Sequence, residues 1–183
     1  MTVPAGVEAH IAGIEIECGL GAVEAETWLG LAPEAIEDAI RLAAAACRAE
    51  LAGPAWPART VVGVLLASDA DIAELNARWR DRPSPTNVLS WPAAAIEAGD
   101  PPGAHWGELA FAEGVVEREA AARGWPARDY LTHLAVHGLA HCLGYDHETD
   151  READLMEGAE TRILARLGLP DPYAEPITDA DAP

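Results

Sequence analysis

Lysine is absent from this 183-residue chain: all 12 of its basic side chains are arginine. Against 31 aspartates and glutamates they leave a formal net charge of -19. A surface of that sign repels polyanions on average, and nucleic-acid-binding proteins are usually basic, so bulk charge argues against an RNA substrate. The lack of lysine and the abundance of alanine read as compositional bias and carry no mechanism. Cysteine is sparse. Cys18, Cys47 and Cys142 are far apart and form no CxxC pair, which excludes a disulfide framework and points to reduced thiols in a cytoplasmic protein. Phenylalanine occurs once and tyrosine three times, although six tryptophans are many for this length. No apolar run approaches the roughly 20 residues that a membrane-spanning helix needs. Met1 to His10 carries neither the basic nor the apolar stretch of a signal peptide. A soluble, membrane-free protein is expected.

What is present fits one globular domain. Half of the chain is hydrophobic and 23% is charged, and the length suffices for a core that needs no staples. Residues 1–10 read as loose. Ala12 to Cys18 alternates apolar and acidic side chains, as a half-exposed strand does. Leu31 to Leu51, with Pro33 in its first turn and Ile36, Ile40, Leu42 and Ala46 on one side, reads as a helix. Thr60 to Ala67 is a β-branched apolar run, hence a buried strand. Ser68 caps a helix through about Trp79, and Pro83 and Pro85 make Arg80 to Pro85 a loop. Val88 to Trp91 and Gly107 to Ala112 read as strands on either side of a Pro/Gly-rich connection. Helices follow over Glu113–Arg123, Ala127–Leu143 and Asp150–Leu167. About four strands and five helices imply an α+β fold around a single mixed sheet. Residues 1–170 form one expected domain, and 171–183 an acidic disordered tail.

Four of the six histidines lie within THLAVHGLAHCLGYDH. His137 and His141 are four apart on a helix, so their β-carbons are about 6 Å apart on one face. Both rings can then reach one tetrahedral ion at about 2.0–2.1 Å. His133, His137 and His141 together extend about 12 Å along the axis, too far to share an ion. His133 therefore reads as a packing or supporting residue, and His10 and His105 as loop residues. Gly144 can end the helix and turn the chain back, which delivers His147 to the same ion. Three neutral histidines leave a fourth position open, the pattern of a catalytic zinc rather than a structural one. The metalloprotease motif HExxH would place its general base at position 138, which here is Gly138.

With this constellation in view, His137-Gly138-Leu139-Ala140-His141-Cys142-Leu143-Gly144-Tyr145-Asp146-His147 resembles the HGxLHLxGYDH signature of the YbeY endoribonucleases, the bacterial rRNA maturation factors. Leu75-Asn76-Ala77-Arg78-Trp79-Arg80, followed by Pro85-Thr86-Asn87-Val88-Leu89-Ser90-Trp91-Pro92, resembles that family's LNxxYR…PTNVLSFP segment. Gly107-Glu108-Leu109-Ala110 resembles its GDI strand. The resemblance spans roughly residues 60–150. It implies one zinc ion on His137, His141 and His147, and single-strand-specific RNA cleavage in small-subunit rRNA maturation and ribosome quality control. It also places Arg80 beside the metal as the family's functional arginine, where a guanidinium can hold a phosphate.

Several positions depart from the family pattern. Pro83 stands where Asp is usual after the arginine, Glu108 replaces Asp, and Trp91 replaces Phe. Thr86, Asn87 and Ser90 suit either the cleft or strand-edge hydrogen bonding. Arg78 and Arg82 suit either phosphate steering or plain solvated charge.

The partners expected are single-stranded RNA and ribosomal or small-subunit proteins, with no DNA; a monomer is favoured. Water at the metal and an RNA 2′-hydroxyl both remain open as nucleophile. Two other readings compete. One is a peptidase or amidase on the same helix. The other is a ribosome-associated binding module whose zinc is structural, which would need a fourth protein ligand. Cys142 is the obvious candidate, but it adjoins His141 and should point about 100° away around the helix, which leaves the site open.

Overall fold

The structure, a computed structural model, describes residues 11–20, 27–51 and 56–174. The expected loose stretch 1–10 and the tail beyond Ala174 lie outside these residues. A four-stranded mixed sheet is built from β1 (Ile14–Leu20), β2 (Thr60–Ala67), β3 (Val88–Pro92) and β4 (His105–Ala112), in the order β1-β2-β4-β3. β1, β2 and β4 run parallel, and β3 pairs antiparallel with β4 at the edge. Five helices surround it: α1 (Pro33–Leu51), α2 (Asp69–Arg80), α3 (Glu113–Arg123), α4 (Ala127–Cys142) and α5 (Asp150–Leu167). The α+β arrangement matches the sequence reading.

Parallel strands covered on both faces need apolar side chains on both, which accounts for the unbroken TVVGVLLA of β2. α1 and α4 pack together under the sheet, and α5 packs against both. Ile36, Ile40, Val62, Leu109, Phe111, Leu131, Leu139 and Ile163 meet in the resulting core. α2 covers the opposite face, where Ile72 packs with Ala67, Leu89, Ala110 and Val115. Full burial of each large aliphatic side chain contributes about 1.5–3 kcal/mol, so α4, buried on most sides, is a firm base for the groups at its end.

The bounds of β1 and β4 differ from the sequence reading, and β3 runs one residue further, to Pro92. β1 starts at Ile14 because Gly13 takes a left-handed turn, φ 80°, and it extends to Leu20 because its ladder with β2 continues that far. Gly107–Ala112 alternates like a surface strand, yet β4 starts at His105 and most of it is buried on both faces. It lies between β2 and β3 and is sandwiched by helices, which local alternation does not reveal. Ser68 caps α2 as expected, with a reciprocal box to Asp71, and Thr149 with Glu152 does the same for α5. Within Asp171 to Ala174, which composition assigns to the tail, Pro172 is buried and its carbonyl accepts from Arg123 at 3.2 Å.

Candidate metal centre

α4 ends in a Schellman motif. Tyr145 N–H donates to the Ala140 carbonyl and Gly144 N–H to the His141 carbonyl, both at 3.0 Å. Gly144 adopts φ 83°, and a β-carbon there would stand 2.6 Å from backbone atoms of Ile96 and Glu97. Only glycine fits both the conformation and the space. The reversed chain is held by Asp146, whose Oδ1 accepts His147 N–H at 2.8 Å. His147 thereby reaches the His137/His141 face of α4. The ring centroids are 4.8 Å apart for His137 and His141, 5.6 Å for His137 and His147, and 5.0 Å for His141 and His147.

The donor atoms of these three side chains lie within 4.8 Å of one another, and no second group of this kind occurs among the described residues. Their protonation suits a metal. His137 Nδ1 lies 2.8 Å from Glu160 Oε1, and His141 Nδ1 lies 3.0 Å from the Tyr145 carbonyl. Both partners accept only, so each Nδ1 carries a proton, which leaves Nε2 as the ligating nitrogen of the neutral ring. Burial, then the neighbouring His137 and His147, pulls His141 down to about 4, so it is neutral at pH 7, the form that ligates. Three neutral imidazoles are a donor set that zinc accepts.

A cleft of about 660 Å³ opens beside the cluster, lined in part by Arg80, Arg82, Ser90, His141, Tyr145 and His147. Among the described residues no carboxylate pairs with Arg80 or Arg82. Arg80 is the last residue of α2 rather than the first of the loop, and Arg82 lies on the loop that follows. That loop is pinned by Asn76: its carbonyl accepts Arg82 N–H at 3.3 Å and its side chain donates to the Ser84 carbonyl at 2.7 Å. Pro83, the departure from the family pattern, sits exposed within this loop. Arg78 turns elsewhere, its guanidinium 5.7 Å from the centroid of the exposed Trp79 ring.

Other residues singled out by the sequence lie apart from the cluster. Cys142 is buried against the core, and burial, then Glu108, pushes its thiol up to about 12. His105 pairs with Glu108 at 3.0 Å. Asn87 donates to Glu119 and accepts Val88 N–H, a strand-edge role. Gly138 faces the sheet, where a β-carbon would stand 2.7 Å from Leu109 Cδ2. A side chain at the position that carries the base in HExxH would point into the sheet and have to displace Leu109.

The sequence reading missed Glu160. It has no exposed surface and binds His137 across 23 residues. Burial alone would raise its carboxyl, but hydrogen bonds with His133, His137 and Tyr173 outweigh that and hold it at about 2. One signal was available: Glu160 falls on the same face of α5 as Met156, Ile163, Leu164 and Leu167, which are all buried. A carboxylate in an apolar stripe is an anomaly that calls for a buried partner.

Comparison with known proteins shows the family. The family described as Endoribonuclease YbeY matches residues 31–168. An Endoribonuclease YbeY of Jannaschia sp. (strain CCS1) is 50% identical over 146 residues, covering 74% of this chain and 91% of that one. Another, from Allorhizobium ampelinum, is 47% identical over 154 residues, covering 84% of this chain and 92% of that one. A solution structure from Thermotoga maritima aligns at a TM-score of 0.45 and 22% identity, over 88% of this chain and all of that one, too slight a likeness to add to the assignment. The match over residues 31–168, with relatives near half identity along most of their length, makes this chain a member of the YbeY endoribonuclease family.

Proposed function

We propose that this chain is a metal-dependent endoribonuclease that cuts single-stranded RNA in the maturation of the small-subunit rRNA 3′ end and in ribosome quality control. His137, His141 and His147 hold one zinc ion, and Arg80 binds the phosphate at the cut. The observation that carries the reading is one open cleft shared by His141, His147 and an arginine with no carboxylate partner. When bound, the ion supplies Lewis-acid polarisation of a phosphoryl oxygen and acidifies water.

The protein's own groups do the rest. The Tyr145 carbonyl and Glu160 hold two rings with Nε2 available. Arg80 offers a forked donor set to a phosphodiester and meets the charge that develops on it, with Arg82 beside it. Gly138 leaves α4 without a base, which disfavours peptide hydrolysis. Cys142 is turned into the core and does not close the histidine cluster, which disfavours a purely structural zinc.

A charge of -19 makes binding to free RNA weak and salt-sensitive, so a ribosomal or small-subunit protein delivers the enzyme to rRNA in the cytoplasm. Residues 1–170 act as one catalytic domain and the chain works as a monomer.

The deciding experiment is cleavage of a single-stranded rRNA 3′-end precursor by the purified protein beside an identically prepared His141→Ala. Cleavage that is lost in the variant and on chelation supports the reading. Equal cleavage by both proteins refutes it. Product ends then separate the nucleophiles: 2′,3′-cyclic phosphates assign the 2′-hydroxyl, and 5′-phosphate ends with 3′-hydroxyls assign water.

A further inference from the structure

Burying a lone carboxylate is strongly unfavourable, and removing the partners of a buried charge more so. Glu160 is fully buried on an otherwise apolar helix face, so its partners account for its presence. Three groups converge on it. His137 Nδ1 is 2.8 Å from Oε1. Tyr173 O–H donates to Oε2 at 2.7 Å, and His133 Nε2 lies 3.5 Å from the same oxygen.

Each partner faces the carboxylate in one sense only. Burial, then Glu160, raises Tyr173 well above the ordinary phenol range, so it stays protonated and donates. His133 is wedged between Trp125 and Tyr130, and its Nδ1 is buried without a partner. Its ring is thus set to present Nε2 to Glu160, at the expense of the other nitrogen. Tyr173 is itself fixed. Asp171 Oδ1 accepts Tyr173 N–H at 3.0 Å and Thr161 Oγ1–H at 3.2 Å, while Arg123 holds the Pro172 carbonyl.

A carboxylate that merely tied α5 to α4 could use any donor on α4. Glu160 uses the ring nitrogen of His137 opposite the one that faces the cluster. Taking the histidine cluster as a metal centre, we propose that Glu160 is its positioning carboxylate, locking His137 with Nδ1–H towards α5 and Nε2 towards the ion. Tyr173 and His133 fix Glu160 in turn, so the segment Asp171–Tyr173 that follows the last helix belongs to the site.

The test measures zinc affinity of the metal-stripped full chain by competition with a chromophoric chelator, with melting of the metal-free protein as the fold control. Glu160→Met replaces the buried charge by an apolar group of similar volume and should weaken zinc binding roughly 10–100-fold. Glu160→Gln keeps an acceptor for Nδ1–H and should restore part of the loss. Tyr173→Phe, one step further out, should cost roughly tenfold or less. Zinc affinity within twofold of the wild type in a folded Glu160→Met overturns the proposal.

Should Glu160→Met fail to fold, ¹⁵N NMR of the His137 ring in Tyr173→Phe decides. A mixture of tautomers supports the proposal, and an unchanged Nδ1–H tautomer with unchanged affinity overturns it. A wild type that binds no divalent ion refutes the metal reading instead. The His137 tautomer would then still report whether Glu160 fixes the ring, so the two failures are distinguishable.

Discussion

Alanine at Gly144 probes the turn that brings His147 to α4. A β-carbon there would lie 2.6 Å from Glu97 C and Ile96 O and 2.9 Å from Ala98 N, all backbone atoms that cannot rotate away. The residue also sits at φ 83°, a left-handed conformation that costs an L-side chain about 1–2 kcal/mol. Forcing apart packed groups adds about 1–3 kcal/mol, for a total of roughly 2–5 kcal/mol. Gly168 offers the matched control. It ends α5 at φ 70° with nothing within 4 Å of its would-be β-carbon, so alanine there incurs the conformational cost alone, about 1–2 kcal/mol. In a chain of this size 1 kcal/mol shifts Tm by about 2–4 °C. Thermal denaturation of the metal-free proteins should therefore show a drop of roughly 4–20 °C for Gly144→Ala and 2–8 °C for Gly168→Ala. Zinc titration separates them further, because only Gly144→Ala displaces His147. Equal Tm losses and wild-type zinc affinity in both would refute the argument that the loop at Ile96–Ala98 fixes this turn.

Arg80→Ala should lower kcat/KM on single-stranded RNA by roughly 10²–10³ while zinc affinity is unchanged, and Arg80→Lys should recover little, since lysine lacks the forked geometry; steady-state kinetics with metal titration checks both. Gly138→Glu, which recreates HExxH, should yield an unstable protein without peptidase activity, because the new side chain enters the space of Leu109; expression, melting and a peptide panel test it. Glu50 receives Arg162 and Arg166 at 2.7 Å; burial opposes its ionisation, but the two guanidiniums outweigh it and lower its pKa. A depressed folded pKa gives stability that is present above the unfolded value of about 4.3 and lost as pH falls through the folded one. Glu50→Gln should thus be about 1 kcal/mol less stable at pH 7, with exposed arginines limiting the effect, and the gap should close below about pH 4 in urea titrations. Cys47 and Cys142 are buried with thiols pushed well up, whereas Cys18 is half-buried, so alkylation at pH 8 read by mass spectrometry should label Cys18 first and the other two only on unfolding.

The sequence by itself determined the features whose causes are local. The i, i+4 spacing of His137 and His141 sets both rings on one face of α4, and Gly144 ends that helix, whatever surrounds them. Ser68 caps α2 through atoms three residues away. The unbroken apolar run of β2 announces a strand covered on both sides. Tertiary structure decided what depends on distant partners. β4 alternates like a surface strand, but its place between β2 and β3 buries it on both faces. Arg78, Arg80 and Arg82 are near-equivalents in sequence; the end of α2 and the loop pinned by Asn76 put Arg80 and Arg82 in the cleft, while Arg78 lies over Trp79. Glu160 is one acid among 31 until α5 packs on α4 and sets it against His137. Caps, turns and helical faces are fixed within a few residues of chain. The partner of a buried charge is fixed only when elements far apart in sequence exclude water together.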